Sequence, residues 1–254
     1  MKTYYGSLCS WFYDIDKPFA PKKELDFYLS YAREGMSVLE PMCGSGRFLV
    51  EFVKRGFNID GFDISSEMIN RCKTKIEGIG NGAEIVCCDF STYHTEKLYD
   101  CIYIAAYSFS LFTEDIEIRL ILAKLRDLIK PGGKILLGVL TDLDFRNNDM
   151  EDGVWKDDNP RIVKEDDVEI ILRSTTCYDR FKSATISRMT YELYEKGVFI
   201  KHEDEDFYIK RYRDGEFEKL VTETGLVIEN TCIDFEKSEH HVEDTGAMVY
   251  VLTK

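Results

Sequence analysis

The chain has 254 residues, 44% hydrophobic and 31% charged, the composition of an ordinary globular protein with room for one large domain. Its formal charge is −14, with 18 Lys and Arg against 22 Asp and Glu in residues 1–150 and 15 against 25 in residues 151–254, so most of the surface repels a polyphosphate and no nucleic acid partner is expected. No apolar stretch approaches the roughly 18 residues that span a bilayer, and "MKTYYGSLCSWFYD" lacks a long apolar signal core, so a cytoplasmic protein with no membrane partner is predicted. Eight cysteines (9, 43, 72, 87, 88, 101, 177, 232) form no CxxC pair and no Cys/His cluster at zinc spacing, which predicts reduced, mostly buried thiols and no metal site.

Through the first 140 residues, hydrophobic period and punctuation alternate between strand and helix, the pattern of a doubly wound parallel sheet. A leading helix is expected over 21–35, with Leu25, Tyr28, Leu29 and Ala32 on one face and Gly35 ending it. The first strand is "SVLEPM" (37–42), and its helix is "RFLVEFVKRG" (47–56). The second strand is "NIDGFDIS" (58–65), followed by "SEMINRCKTKIEG" behind a Ser N-cap, with Met68, Cys72 and Ile76 in register. Strands "AEIVCCDF" (83–90) and "YDCIYIAAYS" (99–108) come next, then a helix over 114–130 ended by "KPGG", then the strand "KILLGVL" (134–140).

From Asp166 to Tyr208 the pattern changes to three β-rich runs joined by "RFK" and "KG" turns, which forces antiparallel pairing and predicts a three-stranded meander. The helix "GEFEKLVTETGL", then "VIENTCIDF" and "AMVYVLTK", close the chain. The reading is one domain over 1–254, with a core of 20–145 and 211–254 and an inserted sheet at about 165–210.

The stretch "VLEPMCGSGRFLVEF" (38–52) puts glycines on a strand-to-helix turn, where bare backbone admits a nucleotide-like cofactor. A dinucleotide fingerprint needs G-x-G-x-x-G, and here Gly44 and Gly46 are followed by Leu49, so that pattern fails at its third position. Glu40, at the end of the first strand, repels a pyrophosphate and suits a cofactor bearing an ammonium. Asp63 lies 19 residues after Gly44 at the end of the second strand, where a carboxylate can accept ribose hydroxyls. NAD proteins place an acid there too. Asp89 ends the third strand, as a cofactor contact or as a cap or turn residue.

In this order the run resembles motif I and the following motifs of the class I S-adenosylmethionine-dependent methyltransferases, including the small-molecule and sugar N-methyltransferase group. The family's acid-x-Gly-x-Gly-x-Gly falls on Glu40, Met42, Gly44 and Gly46, with Met42 standing in for the first glycine. The resemblance implies a Rossmann-like sheet of seven strands, order 3-2-1-4-5-7-6 with the last strand antiparallel, and S-adenosyl-L-methionine as cofactor. It further implies cofactor contacts at Tyr13, Glu40, Gly44, Ser45, Gly46, Asp63, Ile64, Met68, Cys88, Asp89, Phe90, Ala105 and Ala106. Asp89 would accept from the adenine amino group, with Cys88 and Phe90 flanking the ring. Met68 reads either as adenine packing or as core. Tyr13 reads either as a cover over the cofactor or as part of a hydrophobic plug.

Substrate contacts are expected at Trp11, Tyr107, Ser108 and Trp155, the last either a pocket wall or a core or interface residue. The inserted sheet either roofs a substrate pocket or merely extends the core. Methyl transfer from a sulfonium needs positioning more than acid–base chemistry. His202, His240 and His241 sit in acidic runs that read as surface, and no catalytic base is nominated. The run Glu203 to Asp206 reads as a solvated edge, because neighbouring strand residues face opposite ways. The expected partner is a small-molecule methyl acceptor, with the protein a monomer or homodimer. Three classes stay open: methyl transfer to N, O or S of a small metabolite, aminopropyl transfer from the decarboxylated cofactor, and cofactor binding without turnover.

Overall fold

The computed structural model describes residues 5–79, 82–143, 145, 151–237 and 246–254. The expected His240 and His241 positions lie outside the described residues. Helix α1 (Ser7–Asp16) and α2 (Lys22–Ser30) precede the alternating units β1 (Ser37–Pro41), α3 (Leu49–Lys54), β2 (Asn58–Asp63), α4 (Ser66–Ile76), β3 (Ile85–Cys87) and β4 (Tyr99–Ile104). A 3₁₀ turn (Ser108–Leu111), α5 (Asp115–Leu128) and β5 (Ile129–Leu140) follow. After the insertion come α6 (Glu216–Glu223), β11 (Val227–Ile233), β12 (Glu236–Lys237) and β13 (Ala247–Thr253).

The main sheet runs β12-β11-β13-β5-β4-β1-β2-β3. Strands β3, β2, β1, β4 and β5 are mutually parallel, and β13 pairs antiparallel with both β5 and β11. This is the expected order with the two-residue β12 added at the outer edge. The central strands β1 and β4 are buried almost throughout, as strands covered on both faces must be. Tyr28 of α2 and Phe52 of α3 stack on Tyr103 of β4 at 4.7 and 5.0 Å on one side, and Ile118, Leu122 and Phe217 of α5 and α6 fill the other.

The structure corrects three expectations. Residues 7–16 form a helix that was not anticipated, because "CSWFYDID" carries adjacent aromatics rather than a clean period. Leu8, Cys9 and Phe12 nevertheless share one buried face. Helix α5 stops at Leu128, two residues short of the expected end at 130, since Pro131 drives the residue before it to an extended conformation, and β5 already starts at Ile129 and runs through "KPGG". Gly132, at φ 78°, lets β5 shift register against β4 between Tyr99 and Cys101.

The third correction concerns the inserted sheet, which has five strands rather than three. Strands β8 (Val168–Asp179), β9 (Ala184–Glu195) and β10 (Val198–Lys210) form the expected meander, and β6 (Lys156–Asp157) and β7 (Arg161–Glu165) both add to β8. The charged stretch "WKDDNPRIVKE" carries too few apolar residues to announce those two short strands. At the end of β10 the buried Lys210 ammonium pairs with Asp115 of α5 at 2.7 Å and Glu216 of α6 at 2.9 Å, which fastens the insertion to the core.

One close approach sets the geometry of the first unit. A Cβ on Gly61 of β2 would stand 2.5 Å from Leu49 Cδ1 and 3.2 Å from the Cys43 side chain, so the bare strand is what lets a leucine occupy the position where a dinucleotide fold needs glycine. Gly61→Ala should therefore destabilise the protein by about 1–3 kcal/mol through overpacking. The denaturation midpoint measures it, and a Gly61→Ala, Leu49→Ala double variant should lose clearly less than the sum of the two single changes.

Candidate active site

The turn between β1 and α3 is built from left-handed residues. Met42 (φ 57°), Gly44 (φ 54°) and Gly46 (φ 80°) alternate along it, closed by the Gly46 amide donating to the Cys43 carbonyl at 2.9 Å. Met42 thus keeps the backbone that a glycine would adopt, at a cost of about 1 kcal/mol, while its side chain packs on the core. Gly46 has a packing reason as well, since a Cβ there would meet Cys72 Sγ at 2.6 Å. Gly44 has none: the nearest atom to a Cβ would be Met68 Sδ at 3.9 Å, so its bareness leaves space in a cleft.

That cleft lies at the carboxyl ends of β1, β2 and β4. Of the residues nominated from sequence, it brings together Glu40, Gly44, Ser45, Asp63 and Met68, joined by Tyr13, Ala105, Ala106 and Ser108. Asp63 accepts the Gly44 amide on Oδ2 and the Ser65 amide on Oδ1, both at 2.9 Å, which pins the glycine turn to the start of α4. Burial pushes its carboxyl above the usual range despite those amides. Glu40 is 2% exposed and accepts the Tyr103 hydroxyl at 2.9 Å; burial raises it well above the ordinary carboxylate range, and the Tyr103 bond and the nearby Arg47 charge only partly counter that.

Asp89 sits beyond β3. Its Oδ1 accepts the Ser91 amide at 2.7 Å, while Oδ2 is buried with no hydrogen-bond partner. Partial burial pushes this carboxyl up, yet the Ser91 bonds hold it below its usual value.

Other nominated residues stand elsewhere. Phe90 is in the core, edge-on to Phe62 at 4.9 Å and Phe112 at 5.6 Å. Cys88 is half-buried beside it, its amide bonded to the Asp63 carbonyl at 2.9 Å. Ile64 and Gly46 line adjoining grooves. Tyr107, left-handed like Ala106, packs toward Gly138 and Phe235 rather than into the cleft. Trp155 lies under Arg188 at 4.2 Å on the inserted sheet, and Trp11 donates to Glu165 at 2.9 Å. Two residues escaped the sequence reading. Arg47 lines the cleft, and the buried Glu24 of α2 accepts the Ala106 amide at 2.7 Å, holding the loop after β4. A carboxylate on an apolar helix face, in register with Tyr28, was the available signal.

Helix α1 covers the cleft, with Tyr5 and Tyr13 among its lining. The alternation expected along Glu203–Asp206 holds, but only half the run is a solvated edge. Glu203 accepts the Leu8 amide at 2.7 Å and the Ser7 hydroxyl at 2.6 Å, and Glu205 accepts the Tyr5 amide, so both cap the amino end of α1. Asp14 ties the other end to α4 through Lys75 at 2.8 Å.

Residues 38–133 match the family described as a methyltransferase domain. A protein of Geobacillus sp. (strain WCH70) with a provisional methyltransferase name is 24% identical over 98% of this chain and 99% of its own length. Among solved structures, an S-adenosylmethionine-dependent methyltransferase from Clostridium acetobutylicum ATCC 824 superposes with a TM-score of 0.75 at 17% identity over 96% of each chain. The sugar N-methyltransferase KedS8 from Streptoalloteichus sp. ATCC 53650 reaches 0.72 at 14% identity, over 100% of this chain and 98% of that one. Residues 38–133 thus carry the match to a methyltransferase domain, on a Rossmann-like fold shared with S-adenosylmethionine-dependent methyltransferases.

The Glu203 clamp has a pH signature. Burial pushes this carboxyl up, but bonds from Ser7, Leu8 and Lys201 hold it below its usual value. Its stabilisation is therefore complete above the unfolded pKa of about 4.3 and is lost as pH falls through the lower folded value. The stability gap between wild type and Glu203→Gln should be about 0.5–1 kcal/mol at neutral pH and close on acidification. Thermal melts across pH 3–7 (roughly the span of a carboxyl titration) measure it, and a gap independent of pH contradicts the clamp.

Proposed function

We propose that the protein transfers a methyl group to a nitrogen, oxygen or sulfur of a small molecule, with an amine as the best-suited acceptor. The observation that carries this reading is the cover over the cleft: Tyr5 and Tyr13, on a segment gripped by the inserted sheet, leave an approach suited to a small molecule. The acidic surface supports the same reading, since a nucleic acid would be repelled by most of it. The likeness to a sugar N-methyltransferase adds amino sugars to the acceptors worth testing.

The residues present fit the cofactor. Gly44 leaves its backbone bare, each Asp63 oxygen keeps a lone pair beyond its amide, and the buried Asp89 Oδ2 lacks the donor that an adenine amino group would supply. When bound, S-adenosyl-L-methionine would supply a methyl group activated on a sulfonium; Glu40 would hold its ammonium and Asp63 would accept from the ribose hydroxyls. Phe48, Met42 and Leu111 bring apolar surface to the cleft and exclude water from the reacting centre. Glu24 fixes the loop at Ala106, so acceptor and methyl meet against a rigid wall.

The described histidines, His94 and His202, are exposed and outside the cleft. An acceptor that reacts as its neutral form, such as an amine, needs no histidine base. Incubation with methyl-labelled cofactor and a panel of amino sugars, simple amines, phenols, thiols and oligonucleotides tests this. Label should reach an amine-bearing small molecule, at a rate that rises with pH until the amine is neutral. Label on oligonucleotides alone would refute the proposal.

A further inference from the structure

A second cavity, of about 360 Å³, lies where β5 ends and the β8–β9 hairpin of the inserted sheet meets the chain leaving β10. Asp142, Phe145, Tyr178, Arg180 and Arg213 line it, and none of them lines the cofactor cleft. One wall is aromatic and braced. The Phe145 ring lies flat on Tyr178, with centroids 4.3 Å apart and planes 6° from parallel, and the Arg211 guanidinium stands over Phe145 at 5.0 Å. Arg211 is itself fixed: its Nε donates to the Thr185 hydroxyl at 3.0 Å, and its carbonyl accepts the Ser183 hydroxyl at 2.6 Å.

The charge of this cavity runs against that of its surroundings. Residues 151–254 carry 15 Lys and Arg against 25 Asp and Glu, yet the lining holds two guanidiniums and one carboxylate. Arg213 donates to the Arg180 carbonyl at 2.5 Å, and among the described residues neither guanidinium forms an ion pair. The acids closest in the chain are committed to backbone: Asp152 accepts the Arg180 amide at 2.7 Å, Asp179 the Lys182 amide at 3.0 Å and Glu216 the Arg213 amide at 3.0 Å. Two guanidinium forks at one cavity, with the neighbouring acids turned to amides, leave donors for an oxyanion from outside the chain.

We propose that this cavity binds an organic oxyanion, a phosphate or carboxylate on a flat apolar body, with Arg180 and Arg213 on the charged group and the Phe145–Tyr178 stack against the body. Its volume falls in the range of roughly 300–1,000 Å³ typical of small-molecule sites, and a bare inorganic ion would leave the ring wall uncovered. Asp142, the one acid of the lining, is 7% exposed and offers an acceptor to a hydroxyl or amine on the same ligand. Arg180 follows β8 of the inserted sheet and Asp142 follows β5 of the main sheet, so an occupant bridges the two sheets.

Calorimetric titration of the full chain with phenyl phosphate and with benzoate tests this, with aniline as the cationic and neutral control. At least one of the two anions should bind saturably, and the tighter of them assigns the charged group as phosphate or carboxylate. Arg180→Gln and Arg213→Gln should each weaken that binding by roughly tenfold to a hundredfold, the value of a hydrogen bond to a charged group. Binding of neither anion, binding that survives both substitutions, or aniline bound as tightly as the anions overturns the site. Thermal melts of the variants separate lost binding from lost folding. Both variants should bind S-adenosylmethionine as wild type does, so failure of this site and failure of the cofactor reading are told apart.

Discussion

The cleft exists because the chain leaves β1 and enters α3 through a turn of alternating left-handed residues, and one carboxylate holds that turn in place. Asp63 bonds the Gly44 amide and the Ser65 amide at once, so the ends of β1 and β2 become a single rigid edge. Gly46 lets the turn close on Cys72, and Gly61 lets Leu49 seat against the strand. Met42 pays the strain of a left-handed backbone, offset by its packing on the core. Glu40, Arg47 and the wall at Ala106 take their positions from this edge.

The second constraint is α1. Its amino end is capped by acids on β10, its indole and thiol bond to Glu165 and Tyr191, and Asp14 binds Lys75 of α4. One short helix therefore bridges the inserted sheet and the cofactor cleft. Ser65 joins the two again, since its hydroxyl caps α4 by accepting the Met68 amide and also donates to the Tyr5 carbonyl at 2.9 Å. Any movement of the insertion is felt at Tyr5 and Tyr13, and so at the cleft.

The parallel core was legible because its strands are near-continuous apolar runs between punctuated helices, and the strand-end acids Glu40 and Asp63 fell in the cleft by the same logic. What a strand's end does not reveal is which face its neighbours choose. Phe90 turned into the core against Phe62, and Tyr107 turned toward Gly138, because single residues beyond a strand follow local backbone rather than period. The first helix was hidden by three adjacent aromatics, of which only Phe12 is deeply buried. Strands β6 and β7 were hidden by charge, and Arg47 by its own ordinariness: an arginine after two glycines declares nothing until the lack of a partner is seen.

The central claim is that Asp63 both builds the turn and receives the ribose, and calorimetry of Asp63→Ala against wild type with S-adenosylmethionine tests it most directly. The account predicts binding weakened by about 1–3 kcal/mol, as expected when buried hydroxyls lose a charged acceptor. A variant that stays folded and binds as tightly as wild type would contradict it.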